Sequence, residues 1–264
     1  MKLSGKTAII TAGAGGIGLA IAKRFAEYGA NLCLCDVADQ AITEASRELP
    51  NALILRADVS KSEDVRRLFA AFSERFDRLD ILVNNAGISG PTKPVEEISD
   101  SEWQATLDVN ITGMFYMVRA AVPFFKAAGG GSVINMSSVA GRIGMPLRVP
   151  YSVSKYAVRG LTDVLTIELG EIGVRVNTLL PGLVDGPRGR RIIAEQASAR
   201  GMAAEDYERL VLHNISMHAK IQMEEIADMA AFLASDLAPH VTGQSIGVCG
   251  NFESYRSPMI IEPN

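Results

Sequence analysis

The chain has 264 residues, 48% of them hydrophobic and 21% charged, which supplies a large buried core and excludes a mainly disordered or collagen-like chain. Its 26 lysines and arginines against 30 acids give a net charge of -4, so no broad basic field points to nucleic acid. No stretch approaches the roughly 18 uncharged apolar residues of a membrane-spanning helix, so no membrane partner is expected.

Thr7 to Thr11 reads as a short apolar strand, Gly13 to Gly18 as a glycine-rich turn, and Ile17 to Tyr28 as an amphipathic helix. Asn31 to Cys35 follows as a second buried strand ending at Asp36, and a helical stretch runs on through Ser46. Ala52 to Leu55 makes a third strand with Asp58 and Val59 at its exit. Strands then recur at Leu79 to Val83 before Asn84-Asn85-Ala86-Gly87, at Ser132 to Met136 before Ser137 and Ser138, at Val174 to Leu179 before Pro181-Gly182, and at Ser245 to Val248. A helix is expected over about Ser152 to Glu168. This alternation implies an α/β fold: one doubly wound, Rossmann-type domain over 1–264, with about seven parallel strands covered by helices on both faces. The irregular stretch from about 183 to 220 is expected to cover a crevice at the C-terminal edge of the sheet.

TAGAGGIG at 11–18 follows the first strand and opens a helix. Gly13, Gly15, Gly16, Ile17 and Gly18 would then bring backbone amides close to an anionic pyrophosphate, although a purely structural turn also uses glycines. Asp36, after the second strand, suits the ribose hydroxyls of NAD and would repel the additional phosphate of NADP. Neither Gly15 nor Val37 supplies a compensating cation. The plainer reading of Asp36 is a solubilising charge at a strand end. Asp58 either caps a turn or orients an adenine whose face Val59 contacts, and the two roles are compatible.

Tyr151 and Lys155 stand four residues apart in YSVSK, just after Pro150, which suits the first turn of a helix. On a helix both side chains share a face. A positive Lys155 would stabilise negative charge on the Tyr151 oxygen, letting it exchange the proton of an alcohol while hydride leaves for NAD. Ser138, ending an earlier strand, would hold the substrate oxygen.

These segments together resemble the short-chain dehydrogenase/reductase family over nearly the whole chain: TAGAGGIG, NNAG at 84–87, the serines at 137–138, YSVSK, and LPG at 180–182. The resemblance implies that Asn110 in DVNITG holds a water near Lys155, where the residue alone suggests a helix-distorting or backbone-bonding role. It likewise implies that Asn85, Ala86 and Gly87 shape the central cofactor pocket, where a simple turn is the alternative. The chain departs from the family in two places. Ala12 replaces a usual glycine, with Gly13 expected to absorb the backbone strain, and Gly186 stands where a threonine usually contacts the nicotinamide amide. Pro181, Gly182 and Val184 are expected beside the cofactor, Val184 through its backbone.

Arg148 and Arg188 are candidate substrate residues, able to pair with a carboxylate, and their alternative is solvent or a local acid. Arg190 and Arg191 are open to the same reading. His213 and His218 lack a third ligand at metal spacing, so no metal is expected. Cys33, Cys35 and Cys249 form no disulfide scaffold and read as packing residues; with no secretory leader in MKLSGKTAII, they suggest a cytoplasmic setting.

The expected function is NAD(H)-dependent interconversion of a secondary alcohol and a ketone, acting on a small-molecule substrate. The alternatives are an NADP(H)-dependent carbonyl reductase and a non-catalytic dinucleotide-sensing scaffold. Family resemblance implies a homotetramer, or else a dimer.

Overall fold

Alternating buried strands and amphipathic helices build the fold in chain order, and the computed structural model describes residues 2–252 of it. The outermost residues of the expected 1–264 domain lie outside that span. The first half comprises β1 (Thr7–Thr11), α1 (Gly16–Glu27), β2 (Asn31–Asp36), α2 (Asp39–Glu48), β3 (Leu53–Arg56), α3 (Ser62–Arg75) and β4 (Ile81–Asn84). There follow α4 (Asp100–Leu107), a π-helical turn over Asp108–Thr112, α5 (Gly113–Ala128) and β5 (Gly131–Met136). The last part holds α6 (Val149–Gly170), β6 (Val174–Pro181), α7 (Pro187–Ser198), α8 (Ala204–His213), α9 (Met223–Ala234) and β7 (Ser245–Val248).

The seven strands among the described residues are all parallel, in the order β3-β2-β1-β4-β5-β6-β7. Strand β1 is buried along its whole length, as expected of a strand covered on both faces. Ile10 on one face packs with Ile21, Phe25 and Ala230, and Ile9 on the other with Phe72, Met117 and Phe125. Successive side chains of one strand thus serve two separate cores. The order reverses between β1 and β4, so the loops after these strands diverge and leave a crevice at their C-terminal ends.

Strand β4 begins at Ile81, two residues later than the expected Leu79. The Asp80 carboxylate accepts the Thr7 amide at 2.9 Å, a side-chain bond that opens the pairing with β1. The three cysteines are buried and unpaired, and burial pushes the Cys33 thiol up to about 12, consistent with packing rather than reactivity. Among the described residues no helix is long and apolar enough to cross a membrane.

Candidate active site

The glycine-rich turn leaves β1 at the switch point. Gly15 precedes α1 without capping it through a side chain, no acid stands in the first turn, and a Cβ added at Gly15 or Gly16 would meet nothing. An open helix N-terminus with uncompensated amides therefore faces the crevice, the arrangement an anionic pyrophosphate requires. Gly18 serves a different purpose: a Cβ there would lie 2.0 Å from Ala12 O and 2.6 Å from Asn85 Nδ2. Gly13 is also held closely, since its Cβ would come 2.9 Å from Ile10 O, while Ile17 packs on the core beneath.

One expectation about this turn is corrected. The left-handed backbone falls on Ala12, at φ 47°, and again on Gly16, at φ 51°, and not on Gly13. Gly13 donates its amide to Cys35 O at 3.0 Å, which ties it to β2, so the residue before it makes the turn.

Asp36 ends β2 beside this loop. Its carboxylate accepts the Ala14 amide at 3.3 Å as well as those of Val37 and Ala38 at 2.8 and 3.1 Å. The acid thus bonds to the glycine-rich turn, which a merely solubilising charge would not do. Asp58 accepts from Ser60 N and Oγ at 2.9 and 2.7 Å, so the turn-capping role is present. The Val59 side chain is 6% exposed, and a Cβ at Gly113 would lie 2.8 Å from its Cγ2, which places that side chain in the core.

The loop after β4 is fastened to the glycine-rich turn. Thr11 Oγ1 accepts the amides of Asn85 and Ala86, each at 2.9 Å, and Asn85 Nδ2 donates to Thr11 O and Ala12 O at 3.1 Å. Gly87 follows, and a Cβ there would come 3.1 Å from Asn110 Oδ1 and 3.3 Å from Lys155 Nζ. Absence of a side chain at position 87 therefore lets these two polar groups converge on one point.

Asn110 sits fully buried in the π-helical turn between α4 and α5. Its Oδ1 accepts the Ile88 amide at 2.8 Å, and its Nδ2 donates to Ile88 O at 3.0 Å and to Ser154 Oγ at 2.9 Å. The helix-distorting and backbone-bonding readings of this residue both hold. Ser154 in turn donates to Tyr151 O at 2.7 Å, so Asn110 is linked to the first turn of α6. Nothing in the spacing of YSVSK singled out Ser154, because its partner lies 44 positions away.

Helix α6 starts at Val149 with Pro150 in its first turn, and Tyr151 and Lys155 share a face as their spacing required. Lys155 Nζ lies 5.7 Å from the Tyr151 ring centre and donates to Met136 O at 2.8 Å. Burial, with the Arg188 charge as a second cause, pushes the Lys155 ammonium down to about 7. The strand β5 delivers the two serines. Ser137 Oγ donates to Lys155 O at 2.8 Å, and Ser138, 8% exposed, accepts the Ala140 amide at 3.2 Å at the start of a short 3-10 turn against α6.

Arg148 immediately precedes α6 and is buried, with its guanidinium 4.7 Å from the Tyr151 ring centre and Nη2 donating to Ser89 O at 3.0 Å. Its solvent-facing alternative is thereby overturned. Arg188, in the first turn of α7, reaches across to donate to Gly87 O at 2.9 Å, whereas Arg190 and Arg191 pair with Asp185 and Glu195 on their own segment. A cavity of about 680 Å³ opens here, lined by residues 87–90 with Pro187, Arg188 and Arg191.

After β6, Gly182 donates to Val248 O at 2.9 Å, and its Cβ would lie 2.8 Å from Cys249 Cα. Pro181 pairs with Val248 in the sheet. Val184 bridges to Ile221, the bonds running through Leu183 O and Asp185 N rather than through its own amide. At Gly186 an added Cβ would come 2.4 Å from Met223 Cε, so the end of the Met223 side chain occupies the space beside this glycine. His213 and His218 stack on one another at 5.9 Å, and no metal-binding cluster occurs among the described residues.

The family model described as enoyl-(acyl carrier protein) reductase matches residues 12–252. D-beta-hydroxybutyrate dehydrogenase from Rhizobium meliloti (strain 1021) is 33% identical over 254 residues, 94% of this chain and 98% of that protein. Among solved structures, NAD+-bound xylitol dehydrogenase matches with a TM-score of 0.91 at 27% identity, over 95% of this chain and 100% of its own. A variant of actinorhodin polyketide ketoreductase with NADPH matches at 0.90 and 29% identity, over 95% and 98%. The chain belongs to the short-chain dehydrogenase/reductase family of oxidoreductases, which act on hydroxyl and keto substrates.

Proposed function

We propose that the protein is an NAD(H)-dependent oxidoreductase interconverting a secondary alcohol and a ketone, with Tyr151 as its acid and base. The observation that carries this reading is the pairing of Tyr151 with a buried Lys155 on one face of α6, where the Lys155 ammonium and the Asn110 side chain converge at Gly87. A scaffold that only sensed a dinucleotide would not need a lysine buried there at such electrostatic cost.

The dinucleotide fits the residues present, because the α1 N-terminus is open and uncompensated at Gly15 and Gly16. Those amides, with Gly13 and Gly18 shaping the turn, would hold its phosphates. Asp36 would take the ribose hydroxyls, and the Asp58–Val59 segment the adenine, with Val59 acting through its backbone since its side chain is in the core. Asn85, Ala86, Gly87, Pro181, Gly182 and Val184 would frame its centre. When bound, it supplies the hydride acceptor or donor.

The chain's own groups handle the proton. Ser138 holds the substrate oxygen, and Tyr151 Oη takes the hydroxyl proton or returns it. Lys155 stabilises the charge that develops on Tyr151, and negative charge arriving there favours its ammonium over the neutral amine. Asn110, held by Ile88 and Ser154, positions the water of a relay to Lys155.

The choice of NAD over NADP rests on Asp36, whose charge would repel a ribose phosphate, and on the absence of a cationic side chain at Gly15 and Val37. We further read α7 and α8 within the 183–220 stretch as the cover of the substrate crevice, and one domain as the functional unit. Assembly into a homotetramer, or else a dimer, is supported by Val153, Tyr156, Val164 and Ile167, which leave an exposed apolar stripe at helical spacing along α6. The setting is taken as cytoplasmic from the buried, unpaired cysteines.

Purified protein assayed on paired alcohols and ketones with both nicotinamide cofactors tests the reading. Turnover should be faster with NAD(H), and Asp36→Ala should lower NAD(H) affinity. Strong wild-type preference for NADP(H) would overturn the cofactor assignment, and absence of turnover across the whole panel would overturn the activity.

A further inference from the structure

Lys155 and Arg148 stand beside the Tyr151 ring and Arg188 reaches the neighbouring Gly87 O, and none of the three forms an ion pair among the described residues. The contrast with their neighbours is sharp, because Arg190 has Asp185 at 3.3 Å and Arg191 has Glu195 at 3.5 Å. Arg148 is 3% exposed and spends one nitrogen on Ser89 O, while its Nε is buried without a hydrogen-bond partner. It also precedes the N-terminus of α6, where the helix dipole disfavours a cation. The face of the Tyr151 ring offers only part of the missing compensation. Burial most of all, and Arg188 in the same direction, hold the Arg148 guanidinium below its ordinary value, while Tyr151 opposes them.

Arg148 and Arg188 are tied to alternate carbonyls of one segment, Ser89 O and Gly87 O, and that segment lines the cavity of about 680 Å³. We propose that Arg148, completed by Arg188 at the cavity rim, holds the carboxylate of the substrate, so that the reacting alcohol or ketone is a small hydroxy or keto acid. This inference rests on the alcohol/ketone reading of the Tyr151 site and names its substrate class. A planar guanidinium with a buried, unpartnered N–H is suited to a carboxylate, which offers oxygens to two nitrogens at once. A dinucleotide phosphate is the other anion such a pair would accept. Carboxylate is favoured for Arg148 because its guanidinium lies over the Tyr151 ring, whereas the open amides for phosphate lie at α1.

If Arg148 only steadied the Tyr151 ring, its loss would slow charged and neutral substrates alike. The discriminating measurement is calorimetric titration of wild type, Arg148→Met, Arg148→Lys and Arg188→Met with pyruvate, acetoacetate and levulinate, each beside its amide, with and without NAD+. All variants are first checked for folding by circular dichroism. Wild type should bind at least one keto acid about 10-fold or more tightly than its amide, and Arg148→Met should lose most of that ratio. Arg148→Lys keeps the charge but loses the fork, so its ratio should fall severalfold, which gives a result even if the methionine variant does not fold. Arg188→Met should lower the ratio by a smaller factor, and an unchanged ratio there removes Arg188 from the pair. Wild type without a carboxylate preference, or an undiminished preference in a folded Arg148 variant, overturns the inference. So does loss of NAD+ affinity in place of carboxylate preference, which would make the anion a cofactor phosphate. Turnover of neutral alcohols without carboxylate preference would keep the oxidoreductase reading and reject this one; carboxylate preference without turnover on any substrate would do the reverse for the activity.

Discussion

Replacing Lys155 with methionine should change how stability depends on pH. The wild-type ammonium is buried, and its proton is released near 7 in the folded protein against 10.5 for an ordinary lysine. Between these values the unfolded chain holds the proton and the folded chain does not, so wild-type stability rises with pH. The penalty for burying the charge is fully present below about 7 and fades as the pH climbs toward 10.5. One pH unit well inside that window corresponds to roughly 1.4 kcal/mol, and about half as much near 7 where the folded lysine is itself half titrated, so between pH 7 and 9 wild type should gain roughly 2 kcal/mol over Lys155→Met. The bond from Nζ to Met136 O is also lost in the variant, and the core is repacked. Both effects are nearly independent of pH and cancel when the two proteins are compared across the range. Urea unfolding of both at pH 6, 7, 8 and 9, without cofactor, reads the difference directly. Parallel stability curves would refute the reasoning, because they would mean that Lys155 keeps its proton equally in the folded and unfolded states.

Tyr151→Phe removes the proton-carrying oxygen and keeps the ring, so turnover of the substrate found in the panel should fall by about 100-fold or more with the fold intact; wild-type-like rates would remove Tyr151 from the chemistry. Ala12→Gly should raise stability by about 1 kcal/mol, since the φ of 47° is costly for alanine and free for glycine, less the entropy glycine loses on folding; thermal melting measures this, and a lowered melting temperature contradicts it. Asn110→Ala should cost about 1–3 kcal/mol in urea unfolding, because the buried carboxamide's bonds to the Ile88 amide and carbonyl and to Ser154 Oγ are lost together, and a cost under about 0.5 kcal/mol would show that water replaces the side chain.

What the chain decides by itself is local. Uninterrupted apolar runs such as Thr7–Thr11 give strands buried on both faces, and their alternation with helical periods leaves a parallel sheet as the arrangement that buries both. The glycine-rich turn, the acid at Asp36 and the four-residue step from Tyr151 to Lys155 were legible for the same reason: each depends on residues within one turn or one strand end. The departures were decided elsewhere. Ala12 takes the left-handed turn because Gly13 is bound to β2, and the space beside Gly186 is occupied by Met223, 37 positions later. Ser154 matters through Asn110, and Lys155 holds its proton weakly because burial removes it from water, with the Arg188 charge as a second cause. Arg148 looks like any polar residue before a helix until the loop at Ser89 closes over it and leaves its guanidinium without an acid. Burial and pairing are sums over contacts far apart in sequence, so only the folded chain sets them.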